Sequence, residues 1–143
     1  MKVEIAVVIN KPLAEVFAFV NDNKNSTKWQ GGVLSVHLDE GLENHIGSTY
    51  TEVRKFLGQD MRTTLEITAF KENEKWAAKV IKGPVLYEVT LAYATVPDGT
   101  KITTTVVGEP KGFFKLAEGM VVSTLQKSLE EDNNRLKALL ESA

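Results

Sequence analysis

The chain has 143 residues, 43% hydrophobic and 25% charged, which suits a single globular domain over residues 1–143. A net charge of −2 excludes a protein held chiefly to nucleic-acid phosphates, which needs a basic footprint, and gives no help on an anionic membrane surface. With no cysteine, disulfides and thiolate chemistry are excluded, which fits a cytoplasmic protein.

Val3, Ile5, Val7 and Ile9 alternate with Glu4 and Ala6, the pattern of a strand with one buried face. Glu4 and the polar Asn10-Lys11-Pro12 stop this run from reading as a signal peptide. No stretch approaches the roughly 18 apolar residues of a membrane span. Pro12 opens a short helix carrying Val16, Phe17 and Val20, and Asn21-Asp22-Asn23 ends it. Ser26 to Trp29 is a second short helix, closed by Gly31-Gly32. Asn25-Ser26-Thr27 fits a glycosylation sequon, which chance explains without a secretion signal.

Strands follow at Val33 to Leu38, Ser48 to Leu57, Met61 to Phe70, Lys75 to Ile81, Val85 to Val96 and Lys101 to Val107. Gly58-Gln59, Glu72-Asn73, Gly83-Pro84 and Asp98-Gly99 mark the turns between neighbours. From Phe113 to Leu140 the apolar residues take helical spacing, without proline. A run of hairpin-connected strands closed by one long helix reads as an antiparallel α+β domain.

A two-residue turn at Gly58-Gln59 pairs Phe56 with Met61. One face then carries Tyr50, Glu52, Arg54, Phe56, Met61, Thr63, Leu65 and Ile67; the more polar set faces solvent. Across Gly83-Pro84, the inner face carries Trp76, Ala78, Val80, Tyr87, Val89, Leu91 and Tyr93, and Lys79 stands opposite Glu88 on the outside. Ile102, Thr104 and Val106 join the inner face from the last strand.

Glu52 and Arg54 do not suit a dry core, since buried charges need partners or water. They either sit at an open rim, or turned outward by a bulge, or form the polar end of an apolar pocket that orients a ligand's carboxylate, carbonyl or hydroxyl. Thr63, Thr104, Tyr87 and Tyr93 extend that polar set. Phe113, Leu116, Ala117, Met120, Val121 and Thr124 give the long helix a wide apolar face at its start. Leu125, Leu129, Leu136, Leu139 and Leu140 narrow it later. The first half is therefore expected over the pocket, and the second packed on the sheet. Asp132 interrupts the stripe and is expected to bond the small N-terminal helices or water. Gly119 marks either close packing or room for a ligand. Trp29 serves as packing or as an aromatic at the pocket mouth, and Trp76 as core.

Catalytic patterns are sparse. His37 lies on the polar side of its strand and His45 in a loop, with no metal-ligand spacing, nucleophile elbow or phosphate loop. No cofactor or metal is expected. Only Glu52 offers acid–base chemistry; an apolar pocket raises a carboxyl pKa and Arg54 opposes the rise.

The chain resembles the SRPBCC superfamily, also called START-like or birch-pollen-allergen-like, in its polyketide cyclase/dehydrase-like branch. The resemblance rests on the order of Lys11-Pro12-Leu13-Ala14-Glu15-Val16-Phe17, then Asp22 and Trp29 before Gly31-Gly32-Val33. Ile46-Gly47-Ser48, Gly58, Gly83-Pro84, Asp98-Gly99-Thr100 and the terminal Arg135-Leu136-Lys137-Ala138-Leu139-Leu140-Glu141 continue it. It implies a helix-grip fold, in which a curved seven-stranded antiparallel sheet wraps a long C-terminal helix around a cavity. It also implies binding of a small hydrophobic ligand, lipid-like, aromatic or polyketide-like. The expected ligand-binding residues are Trp29, Tyr50, Glu52, Arg54, Thr63, Trp76, Tyr87, Tyr93, Leu116, Met120 and Thr124. The alternatives are a cyclase or dehydratase using Glu52 and Arg54, and a co-chaperone or antitoxin-like interaction module. No oligomeric state is implied.

Overall fold

The computed structural model of the chain describes residues 1–142, with the main chain alone at Phe113. Seven strands make one antiparallel sheet in the order β1-β7-β6-β5-β4-β3-β2. They are β1 (Lys2–Ile9), β2 (Val33–Glu40), β3 (Thr49–Phe56), β4 (Gln59–Lys71), β5 (Lys75–Lys82), β6 (Val85–Val96) and β7 (Gly99–Pro110). The first two strands are opposite edges of the sheet. The chain crosses between them through α1 (Leu13–Val20), a 3-10 turn at Asn23–Asn25, and α2 (Ser26–Trp29). It ends in α3 (Phe113–Leu116) and α4 (Glu118–Glu141). This is the expected architecture. Among the described residues no helix is long and apolar enough to cross a membrane.

The sheet curves because its ladders are interrupted. Register shifts fall between Thr64 and Leu65, and between Ile67 and Ala69, where β4 meets β5; two more fall where β2 meets β3. An extra residue on one strand bends it and tightens its twist.

Two expectations about local geometry are corrected. The β3–β4 turn is Leu57-Gly58, one residue earlier than Gly58-Gln59, and Phe56 pairs with Gln59. Both turn residues have positive φ, 51° at Leu57 and 75° at Gly58, as a tight hairpin whose twist matches its strands requires. The register therefore moves by two, so Arg54 stands opposite Met61, and an even shift leaves every side chain on its assigned face. The β5–β6 register, with Lys79 opposite Glu88, is as expected.

The second correction concerns the helix. It is not continuous from Phe113: the chain breaks at Ala117 (φ −104°, ψ 24°), and α4 starts afresh at Glu118. The side chain of Phe113, expected on the apolar face, lies outside the described residues. Gly119 is exposed, and a methyl group there would meet no atom within 4 Å beyond the backbone of its own helix and its chain neighbours. Neither close packing nor a ligand is needed to explain it.

Three apolar clusters hold the molecule. In the first, Leu136 and Leu140 of α4 pack with Ile9, Val16, Phe17, Val20, Trp29, Tyr93 and Ile102. Leu139, expected on the same packed face, is instead partly open to solvent. Phe17 meets the edge of Tyr93 at 4.8 Å between ring centres. Polar staples fix the same end: Lys137 donates to the Val8 carbonyl (2.6 Å), and Glu141 accepts from the Asn10 N–H (2.8 Å). The second cluster, Tyr50, Leu65, Ile67, Ala78 and Val80, lies on the middle of the sheet. The third joins Phe56, Met61 and Val85 to Phe114 and Val121 at the start of the C-terminal helices.

Candidate functional site

Between these clusters the sheet and α4 do not meet. They enclose a cavity of about 180 Å³. Its apolar wall includes Phe56, Met61, Leu65, Val85, Val89, Leu91 and Val106 from the sheet, and Val121, Leu125 and Leu129 from α4. A void of about 150 Å³ has the size of a benzene-sized guest, so this volume matches that of a small ring.

One part of the wall is polar. Glu52 and Arg54, at i and i+2 on β3, both point inward, because alternate residues of a strand share a face. Arg54 Nε donates to Glu52 Oε1 at 2.5 Å, and Arg54 Nη2 donates to Gln30 Oε1 at 3.2 Å. Gln30 follows α2, so this bond ties the small helices to the sheet. Burial pulls the Arg54 guanidinium pKa down, but the Glu52 charge and hydrogen bond outweigh it and the net shift is upward. Tyr87 lies on the same wall. Burial, then the Glu52 charge, pushes its hydroxyl up to about 12, against a smaller opposing pull from Arg54.

From the helix side, Asp132 and Asn133 complete the polar patch. Asp132 is 4% exposed; its Oδ1 accepts from the Gly31 N–H (2.9 Å) and from Arg135 Nη1 (3.1 Å). Burial raises its carboxyl pKa, and these hydrogen bonds and the charge of Arg54 oppose the rise. Asp132 thus bonds the loop after the small helices, not the helices themselves as its place in the stripe suggested. Trp29 and Asn133 line the cavity, but their side-chain nitrogens Nε1 and Nδ2 are themselves buried, with no hydrogen-bond partner among the described residues.

Of the residues singled out from sequence, Trp29, Tyr50, Glu52, Arg54, Trp76 and Tyr87 line this cavity. Trp76, expected as core, is only half-buried and forms part of the wall. Tyr50 is fixed by the Asn44 N–H, which donates to its hydroxyl at 2.9 Å. The other five stand elsewhere. Thr63 faces inward and is buried, but it packs beneath Gly83. Tyr93 belongs to the first cluster, where its hydroxyl accepts from Asn21 Nδ2 (3.1 Å). Burial raises its pKa. Leu116 and Met120 are corrected outright: they are 93% and 61% exposed. Thr124 is half-buried beside the wall but not in it.

The cause is a phase error of one residue, which on a helix is a rotation of about 100°. The inward stripe is Phe114, Ala117, Val121, Leu125, Leu129, Asn133, Leu136 and Leu140. Leu116, Met120 and Thr124 each precede a member of it by one position. The steps of three and four that run through Asn133 were the available signal for this residue. For Gln30 the sequence held none, since it reaches Arg54 only through the fold.

Among the described residues no cluster of His, Asp or Glu could hold a metal ion.

The sequence pattern of one family, described as polyketide cyclase / dehydrase and lipid transport, matches residues 1–141. No curated protein matches the chain. Solved structures agree closely in fold. A protein of Thermus thermophilus has a TM-score of 0.77 at 17% identity, covering 97% of this chain and 99% of that one. A Chromobacterium violaceum protein has a TM-score of 0.77 at 14% identity, covering 97% and 96%. The ginseng major latex-like protein 151 from Panax ginseng has a TM-score of 0.76 at 16% identity, covering 96% and 95%. At these identities the likeness establishes the helix-grip fold and nothing finer.

Proposed function

The chain belongs to the polyketide cyclase / dehydrase and lipid transport family, and from that premise we propose that it binds a small hydrophobic molecule between its sheet and α4. The observation that carries this reading is the cavity itself: an apolar wall from the sheet and the helix, with one polar patch around Glu52 and Arg54. An apolar pocket with a few convergent polar groups is the usual form of a small-molecule site. The apolar wall supplies affinity, and the patch fixes which way the guest lies. Trp29, Tyr50, Trp76 and Tyr87 offer ring faces and edges to an aromatic or lipid-like guest.

Organic extraction of the purified protein, followed by mass spectrometry, should recover such a molecule. Thermal unfolding with alkylbenzenes tests it independently. A ligand at ten times its Kd stabilises the folded state by about 1.4 kcal/mol, worth about 4 °C in a chain of this size. Leu125→Phe should fill the void and remove that shift while the protein still folds. Nothing recovered, together with no shift from any apolar compound, would reject the reading.

A further inference from the structure

We infer that the segment from Gly41 to Gly47, between β2 and β3, is the gate of the cavity, held shut by Asn44. A guest enters and leaves between this segment and the helical crossing. The inference rests on the binding reading above and adds the route to that site.

Position is the first observation. A groove lies on the surface against α1, with the exposed residues Ala14, Ala18, Lys24, Glu43 and Glu72 along it. Asn21 and Asn44 line both this groove and the cavity. They are bonded to each other, Asn44 Nδ2 donating to the Asn21 carbonyl at 2.8 Å. Their neighbours divide between the two sides: Asn23 lines the cavity, while Asp22 and Glu43 line the groove. At this place the partition between cavity and solvent is one bonded pair of residues thick.

The way the segment is held is the second observation. Every residue from Gly41 to Gly47 is exposed except Asn44, which is half-buried. Leu42 and Ile46 are 66% and 68% exposed and belong to none of the three apolar clusters. Polar bonds join the segment to the crossing: that of Asn44 to Asn21, and that of the Asn23 N–H to Glu43 Oε1 at 3.2 Å. Another runs from the Asn44 N–H to the Tyr50 hydroxyl on β3. Water can replace bonds of this kind at small cost, so a gate closed by them opens readily.

Hinges are the third observation. Gly41 and Gly47, at the two ends, have φ of 89° and 90°, angles that glycine adopts without penalty. The Ser48 hydroxyl donates to the Leu42 carbonyl at 2.6 Å and ties the two ends together. The tip that carries Glu43 and Asn44 can then swing as one piece.

Fluorobenzene, close to benzene in size, reports the traffic. Fluorine NMR line shapes over a titration give its association and dissociation rates. Asn44→Gly suits the backbone there (φ 58°) and removes only the side-chain bond to Asn21. One hydrogen bond is worth roughly fivefold in the population of an open state, so both rates should rise roughly fivefold. Loss of a contact with the guest would raise the dissociation rate alone. Glu43→Ala, at an exposed position, should raise both rates about twofold, and it carries the test if Asn44→Gly does not fold.

Rates unchanged in folded Asn44→Gly would overturn the gate and leave the binding reading standing. A dissociation rate that rises alone would do the same. Fluorobenzene bound by none of these proteins would overturn both.

Discussion

Around Leu136 and Leu140, α4 packs onto Ile9, Val16, Phe17 and Val20, and both leucines are nearly inaccessible. Two and three turns earlier, Leu129 and Leu125 of the same helix stand over a cavity of about 180 Å³. The residue type is the same and the helical stripe is continuous. What differs is the opposing surface. Beneath the last turns lie α1 and the end of β1, close enough for Lys137 and Glu141 to bond the β1 main chain and the residue after it directly. Beneath the earlier turns lies the curved middle of the sheet, bent away by its register shifts. One end of α4 is therefore a clamp and the other a roof. An apolar stripe reports burial, while the curvature of the facing sheet decides whether burial means contact or cavity.

The largest test of this contrast compares two leucines. Leu136→Ala should cost about 3 to 4 kcal/mol, because it opens a void in a filled cluster. Leu125→Ala borders an existing void and loses fewer contacts, so it should cost about half as much. Urea unfolding of both variants reads the difference. Equal losses would mean that the roof is packed as tightly as the clamp.

The next test concerns the charge pair in the wall of the hollow end. Arg54→Met removes the cation from a pair whose side chains are 15% and 14% exposed. Glu52 is then left in the wall with its charge unmatched, which should cost about 2 to 3 kcal/mol. Adding Glu52→Gln should return most of that loss, since the second substitution removes the stranded charge. Strictly additive losses in the double-mutant cycle would show that the two groups do not depend on each other.

The same contrast explains what the sequence could and could not reveal. Strand alternation placed Glu52 and Arg54 inward, and an error of two in the β3–β4 register did no harm because faces repeat every two residues. Helical phase is less forgiving. Leu116-Ala117, Met120-Val121 and Thr124-Leu125 are adjacent pairs, so two stripes one residue apart compete over this stretch. Only the break at Ala117 and the packing of Phe114 and Val121 choose between them. The polar patch was half legible. Asp132 stood out as a charge in an apolar stripe, but Asn133 beside it drew no notice, and Gln30 joins Arg54 across 24 residues of chain. Long-range partners of this kind have no local signature.

The smallest test reads the two tyrosines, one in each region, against pH. Tyr87 lines the cavity and Tyr93 lies in the clamp, and burial raises both hydroxyls. An ordinary phenol titrates near about 10, whereas Tyr87 is pushed up to about 12. The folded state therefore holds this proton more tightly than the unfolded chain does. Its contribution to stability is whole below about pH 10 and is lost as the pH rises through about 12, with a slope of at most about 1.4 kcal/mol per pH unit. Tyr87→Phe should flatten the alkaline limb of the stability profile by that share. Tyr93→Phe should flatten it too, but it also removes the acceptor for Asn21 Nδ2 and so costs about 1 kcal/mol at neutral pH. A limb left unchanged by Tyr87→Phe would mean that water reaches that hydroxyl freely, and that the roof is open where the clamp is shut.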